Sequence, residues 1–138
     1  ISRHNERTRA LPDKYDPVWL GLDFESRAAL YERIDRRVDK MRAAGLEDEV
    51  RGLLASGVPD TATSMQAIGY KELAAALRGE YAVDDAFRLI QQRSRNYAKR
   101  QLTWFRRNPD MHWLVRGEGD DDASIFRAAR RQIPFFAG

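Results

Sequence analysis

Arg93-Ser94-Arg95-Asn96-Tyr97-Ala98-Lys99-Arg100-Gln101-Leu102-Thr103-Trp104-Phe105-Arg106-Arg107 is the stretch on which both fold and function turn. Its small and apolar residues continue a stripe that starts upstream: Ala86, Ile90, Ser94, Ala98, Leu102 and Phe105 recur at helical spacing. One long helix follows, capped by Asp84 or Asp85 and ending near Arg107. Asn108-Pro109 breaks it there, because proline disfavours helical backbone in the residue before it. A narrow stripe of small side chains lets such a helix lie close against another element. Beside the stripe, Arg93, Asn96, Tyr97, Arg100 and Trp104 share a second face, since residues three and four apart are neighbours on a helix.

Working outward, helical signals dominate. Leu30, Ile34, Val38 and Met41 form one face of a helix from Ser26 to about Ala44. Ser26 suits an N-cap, although Ala29 at the third position gives no capping box. Gly45 fits the residue just past the helix end. Leu46 to Ser56 forms a second helix with Leu46, Val50, Leu53 and Leu54 inward, stopped by Gly57 and Pro59. A polar loop over residues 58–63 precedes Ser64-Met65-Gln66-Ala67-Ile68-Gly69-Tyr70, which leads into a third helix from Lys71 to Leu77, stopped by Gly79. Glu118 to Asp122 reads as an acidic loop, and Ser124 to about Phe136 as a closing helix, bent or ended near Pro134. Residues 1–17, broken by Pro12 and Pro17, read as a loop or arm.

Two short apolar runs do not fit this helical pattern. Val18-Trp19-Leu20-Gly21-Leu22 and Met111-His112-Trp113-Leu114-Val115 have the length and flanks of buried strands. Two strands make a marginal sheet alone, and parallel strands joined by helices belong to larger covered sheets. The expectation is a mainly α chain whose two strands edge a parallel α/β sheet completed by other sequence. A start at Ile1-Ser2-Arg3-His4, without Met, points the same way.

Composition narrows the classes further. The 138 residues suit one domain, with 43% hydrophobic and 33% charged residues, and a mean hydropathy of −0.65 marks an ordinary soluble balance. No run approaches a membrane span and no signal peptide is evident. Absence of cysteine removes disulfides and thiolate metal sites and makes the cytoplasm the default location. His4 and His112 are too far apart in sequence to suggest a histidine site. Net charge is only +3, with 24 Lys and Arg against 21 Asp and Glu, so the position of charge matters more than its sum. Acidic residues Glu118, Asp120, Asp121 and Asp122 lack calcium-loop spacing and read as a solvated turn.

Charge is concentrated in three places. From Arg93 to Arg107 there are six cations and no acid. Such a helix is either a solvated flank with snorkelling side chains or a surface for RNA, gripping phosphates with guanidinium forks and stacking unpaired bases on flat rings. Their counter-charge must come from elsewhere in the fold or from a ligand. On the first helix, Arg33 and Arg37 flank the apolar face one turn apart, a placement that suits bidentate capture of an oxyanion such as diphosphate. Arg36 fits equally well in a surface salt bridge. Finally, the junction around Ser64–Tyr70 offers backbone N–H groups to an anion or a base edge, or is a capped helix start with Met65 and Ile68 in the core.

Taken in order, Leu30-Tyr31-Glu32-Arg33-Ile34-Asp35-Arg36-Arg37-Val38-Asp39-Lys40-Met41, Gly45-Leu46-x-x-Glu49-Val50, Met65-Gln66-Ala67-Ile68-Gly69-Tyr70-Lys71-Glu72 and Arg93 to Arg106 resemble the C-terminal half of the bacterial tRNA dimethylallyltransferase (tRNA isopentenyltransferase) family. The resemblance spans about residues 18–116 and rests on four motifs in register. It implies a fold like the P-loop NTPases, with an inserted helical domain. It also implies transfer of the dimethylallyl group of dimethylallyl diphosphate to N6 of the adenosine 3′ of the anticodon, normally with Mg²⁺. The family's phosphate loop, G-x-T-x-x-G-K-[ST], occurs nowhere in this sequence, nor do the Asp-Ser segment of the proposed base and the catalytic threonine. Residues 18–138 are therefore expected to be the C-terminal part of such a core, inactive alone. Mg²⁺ would be bound mainly by the part not present, and the parent enzyme would be monomeric.

Residue by residue, the resemblance assigns Arg33 to catalysis, with Arg33 and Arg37 binding the substrate diphosphate. It assigns Met65, Gln66, Ala67, Ile68 and Gly69 to the anticodon-loop bases and Ser64 to tRNA. Arg93, Ser94, Arg95, Asn96, Tyr97, Ala98, Lys99, Arg100 and Gln101 are assigned to tRNA. Two other classes account for parts of the pattern. A stand-alone helical nucleic-acid-binding module explains the basic helix without chemistry, and a dimerisation domain explains strands that pair across subunits.

Overall fold

The computed structural model describes residue 15 and residues 17–133. The rest of the arm, His4, and Pro134 with Phe135 and Phe136 lie outside the described residues. Strand β1 (Trp19–Phe24) is followed by helices α1 (Arg27–Ala43) and α2 (Leu46–Ala55), a 3₁₀ turn (Thr63–Gln66), α3 (Tyr70–Leu77) and the 23-residue α4 (Val83–Phe105). Strand β2 (Met111–Arg116) and α5 (Asp122–Arg131) complete it. The mainly helical expectation holds, and the two strands prove to be direct neighbours. They pair in parallel, from Trp19 opposite Met111 to Phe24 opposite Arg116. A parallel pair needs a crossover connection, and here the whole α1–α4 unit supplies it. Gly21 sits where the strands leave no room, since a Cβ there would lie 2.8 Å from the Trp113 ring.

Helix boundaries follow local chemistry. Ser26 caps α1 as expected, its hydroxyl accepting from Ala29 N–H at 3.1 Å. Gly45, with φ 91°, ends α1 and opens α2 in a single residue. The expectation that Asp84 or Asp85 caps α4 is corrected. Ala82 holds the N-cap without a side-chain bond, and both aspartates lie inside the first turn. There their charge still favours the helix N-terminus, while Asp84 pairs with Arg42 and Asp85 with Arg88. The acidic loop is the exposed turn expected, and its carboxylates also tie it to its neighbours. Asp120 accepts from Gly117 N–H and Ser124 Oγ–H, Asp121 caps α5, and Asp122 pairs with Arg116. The closing helix starts two residues earlier than Ser124 and ends at Arg131.

The core lies among the four helices and the turn. Val38, Leu46, Val50, Met65, Leu73, Ala74, Ala76, Ala86, Phe87 and Ile90 form one buried cluster. Helix α4 is the spine that ties this cluster to the sheet. Three polar rungs fix it to α1: Arg95 to both oxygens of Asp35 at 2.6 and 2.7 Å, Gln91 to Asp39 at 3.0 Å, and Arg42 to Asp84 at 2.5 Å. Arg42 also stacks over Phe87, 4.7 Å from the ring centre. At its C-terminal end, Arg106 donates to the buried Asp23 of β1 at 2.7 Å and lies over Trp113 of β2. The acid-free stretch of α4 from Arg93 onward thus receives part of its counter-charge from other elements.

Candidate RNA- and diphosphate-facing site

Rigid attachment of α4 to α1 leaves an open groove on one side of the pair. A cleft of about 790 Å³ is lined by Leu30, Ile34, Arg37, Val38 and Met41 of α1, by Gln66, Ala67 and Ile68, and by Ile90, Ser94, Tyr97, Ala98, Arg100 and Gln101 of α4. Three segments far apart in sequence therefore share one concave surface. Its floor is aliphatic, and Arg37 and Arg100 bring the cations. Of the apolar face expected for α1, Val38 alone is fully buried, while Leu30 and Ile34 line the cleft. Small residues of the α4 stripe, Ser94 and Ala98, keep the groove open, where larger side chains would close it.

Arg37 also borders a second cavity of about 490 Å³, formed by Phe24, Leu30, Arg33, Ile34, Arg36, Arg37 and Lys40. It gathers four cationic side chains and no carboxylate. Arg33 lies over the Phe24 ring, 5.8 Å from its centre, and among the described residues neither Arg33 nor Arg37 forms an ion pair. Arg36 differs, since it reaches Glu32 at 3.6 Å. A third groove of about 490 Å³ runs along the outer side of α4, lined by Asn96, Lys99, Arg100, Thr103, Trp104 and Arg107. Trp104 is 65% exposed there and meets Phe105 edge to face. Arg100 borders both α4 grooves and lies 5.6 Å from the Tyr97 ring centre.

The sequence-predicted residues thus separate into groups. Arg33 and Arg37 meet at the cationic cavity. Gln66, Ala67, Ile68, Ser94, Tyr97, Ala98, Arg100 and Gln101 meet at the cleft. Asn96 and Lys99 line the adjoining groove. Ser64 is exposed on the 3₁₀ turn, away from these cavities' linings. The Met65 side chain is fully buried in the core. Arg95 spends its guanidinium on Asp35, and Arg93 donates to the buried Glu72. Gly69, with φ 109°, opens α3, and its N–H is taken by Glu72 Oε2 at 2.7 Å. The expected free N–H at this position is therefore already bonded.

Three residues escaped sequence reasoning. Phe24, outside the expected Val18–Leu22 strand, belongs to β1 and floors the Arg33 cavity. Phe87 falls outside the α4 stripe but is core. Glu72 carried a usable signal, because Gly69-x-x-Glu72 has the spacing of a capping box and its Glu half is formed. Around the turn, the Tyr70 phenol is pushed up by its hydrogen bond to Glu49, at 2.6 Å, with burial and the Glu49 charge adding to it. Burial chiefly raises Tyr81, and the Glu72 charge adds to it. Both phenols stay protonated and act as donors, Tyr81 to the Glu72 carbonyl at 3.0 Å.

Among the described residues, no group of three or more His, Asp or Glu side chains is placed to hold a metal ion. The described residues thus offer no donor set for the magnesium that the resemblance implies. No helix among them is long and apolar enough to cross a membrane.

The chain is 52% identical over 123 residues to a protein named tRNA dimethylallyltransferase 1 from Trichlorobacter lovleyi, covering 89% of this chain and 38% of that one. It is 47% identical over 114 residues to the tRNA dimethylallyltransferase of Geobacter metallireducens, covering 83% and 37%. The crystal structure of a tRNA delta(2)-isopentenylpyrophosphate transferase from Staphylococcus epidermidis superposes with a TM-score of 0.79 at 37% identity, over 96% of this chain and 42% of that one. A full-length tRNA isopentenylpyrophosphate transferase from Bacillus halodurans gives 0.77 at 39% identity, over 91% and 41%. The chain spans about two-fifths of the length of these relatives. The IPP transferase family model matches residues 1–108, and on that match and these relatives the chain belongs to the IPP transferase family.

Proposed function

We propose that this chain supplies the RNA-facing and leaving-group-facing walls of an enzyme that transfers the dimethylallyl group of dimethylallyl diphosphate to N6 of the adenosine 3′ of a tRNA anticodon. The observation that carries this reading is the position of Arg37. It is shared by the large cleft and by the cationic cavity that also holds Arg33. An RNA base entering the first is thereby brought beside an anion held in the second.

In the reaction, the N6 amine attacks C1 of the dimethylallyl group. An N–C bond forms, the C1–O bond breaks, and diphosphate departs with its electron pair. The N6 proton passes to a base outside this chain. Negative charge on the leaving group grows towards the transition state, so fixed cations beside it lower the barrier more than they strengthen substrate binding. Arg33 and Arg37 take that role, unspent on any carboxylate among the described residues. The target base must leave its stack, at a cost of a few kcal/mol. The aliphatic floor of the cleft and the Tyr97 ring receive it, Gln66 faces its polar edge, and Lys99 and Arg100 hold the phosphates that flank it. Turnover requires the remaining three-fifths of the relatives' length.

The test is prenyl transfer by the complete gene product, with dimethylallyl diphosphate and an anticodon stem-loop, read by mass spectrometry of the digested RNA. The reading requires one dimethylallyl group on the adenosine 3′ of the anticodon. RNA binding without transfer would instead favour a nucleic-acid-binding module.

A further inference from the structure

The Glu72 carboxylate has no exposed surface, sits on α3, and has two partners from different elements. One oxygen accepts from Gly69 N–H at 2.7 Å, and the other accepts from the Arg93 guanidinium of α4. Its own backbone carbonyl is held by the Tyr81 hydroxyl at 3.0 Å. A buried carboxylate is stable only when paired and hydrogen-bonded. Neither partner lines the cleft itself, Arg93 facing a separate cavity beside Asp60 and Lys71, but each is next in sequence to residues that do. Gly69 ends the segment that presents Gln66, Ala67 and Ile68, and Arg93 immediately precedes Ser94, which lines the opposite wall. Gln66 is held from its other side by a bond from its amide to the Asp60 carbonyl at 2.8 Å.

We propose that Glu72 and Arg93 form a positioning pair that fixes the Gln66–Gly69 turn against α4, and that Arg93 acts on RNA through this pair and not by touching a phosphate. The inference rests on the RNA-facing reading of the cleft and deepens it by dividing the cations of α4 into two kinds. Arg93 and Arg95 are paired with Glu72 and Asp35, though their side chains keep 42% and 30% of their surface exposed. Lys99 and Arg100 have no carboxylate partner among the described residues. Backbone positions before and after Glu72 depend on the pair: with the carboxylate neutralised, Arg93 loses its anchor and the turn loses one of its two ties.

Salt dependence separates the two kinds of cation. Each phosphate contact contributes about 0.7 to 0.9 to the slope of log affinity against log salt, whereas a positioning residue contributes nothing to it. Binding of a fluorescent anticodon stem-loop by the chain is measured across a salt series for Glu72→Gln, Arg93→Lys, Arg93→Ala and Arg100→Ala. The pair predicts that Glu72→Gln and Arg93→Ala each weaken binding about tenfold with the original slope, and that Arg93→Lys retains most of the affinity. Arg100→Ala should lower the slope by about 0.7 to 0.9. A slope reduced as much by Arg93→Ala as by Arg100→Ala would overturn the inference, and so would unchanged binding in Glu72→Gln. Amide hydrogen exchange at residues 66–69 gives an independent readout. Faster exchange in Glu72→Gln, with α1 unaffected, supports the pair, and unchanged exchange refutes it. Failure of the unmutated chain to bind RNA would sink the broader reading, while the exchange result would still decide whether the pair holds the turn.

Discussion

Replacing Arg33 by alanine separates a catalytic from a structural role by magnitude. Within the described residues, Arg33 contacts Phe24 through a cation–ring interaction at 5.8 Å, worth about 0.5–1 kcal/mol at an exposed site. Removing it therefore costs the fold about 1 kcal/mol at most. A fixed cation beside a departing diphosphate contributes far more to the barrier. By comparison with the loss of a single oxyanion donor, kcat should fall by roughly 10²–10³, or about 3–4 kcal/mol. The assay is single-turnover prenyl transfer by the complete gene product at saturating tRNA, with thermal unfolding measured alongside. Arg33→Lys should recover part of the loss, because it restores charge without the bidentate fork. Arg36→Ala is the comparison within the same cavity. Its charge is shared with Glu32, both side chains being about two-thirds exposed, so its loss should be much smaller. Equal losses for Arg33→Ala and Arg36→Ala would refute the reasoning. So would a raised KM with unchanged kcat in Arg33→Ala, since that marks binding shared by ground and transition states.

Other substitutions probe the surrounding scaffold. Lys99→Ala should weaken anticodon stem-loop binding and flatten its salt dependence by about 0.7 to 0.9 in slope, with little change in single-turnover rate at saturating RNA. Gly69→Ala should destabilise the chain by about 1–3 kcal/mol in denaturant unfolding. The new Cβ would meet only Leu46, at an ordinary 3.6 Å, so the cost comes from φ 109° and not from crowding. Asp120 titrates below the usual carboxylate range, chiefly because Gly117 N–H and then Ser124 Oγ–H favour its charged form. A depressed carboxyl contributes stability above its unfolded pKa, about 3.9, and loses it as pH falls through the lower folded value. Asp120→Asn should therefore lower stability at neutral pH and flatten the acid side of a stability-against-pH curve. An unchanged acid limb would remove Asp120 from that role.

What could be read in advance was whatever local periodicity and local chemistry specify. The stripe from Ala86 to Leu102 set α4 close to its true length, Asn108-Pro109 ended it, and Ser26 marked the start of α1. Asp84 and Asp85 misled because a helix can begin on backbone geometry alone, at Ala82, leaving both carboxylates to nearby arginines. Pairing of β1 with β2 carries no local signature, since four helices separate the two strands in sequence. For the site, the residue types in the cleft were legible, but the counter-ions were not. Asp35, Asp23 and Glu72 lie on other elements from the arginines they hold. Thus the basic face of α4 looked uniform in sequence, and only folding distinguishes Arg93 and Arg95, paired with carboxylates, from Lys99 and Arg100, which have none among the described residues. The Gly69-x-x-Glu72 spacing was visible, though its second partner, Arg93, was a tertiary fact.

Amide chemical-shift mapping of the ¹⁵N-labelled chain, titrated with an anticodon stem-loop, tests the central claim most directly. Perturbations should converge on residues 66–68 and on Ser94, Tyr97, Ala98, Arg100 and Gln101, the two walls of one cleft. Shifts centred on α2 or α5, or confined to the outer face of α4, would contradict it.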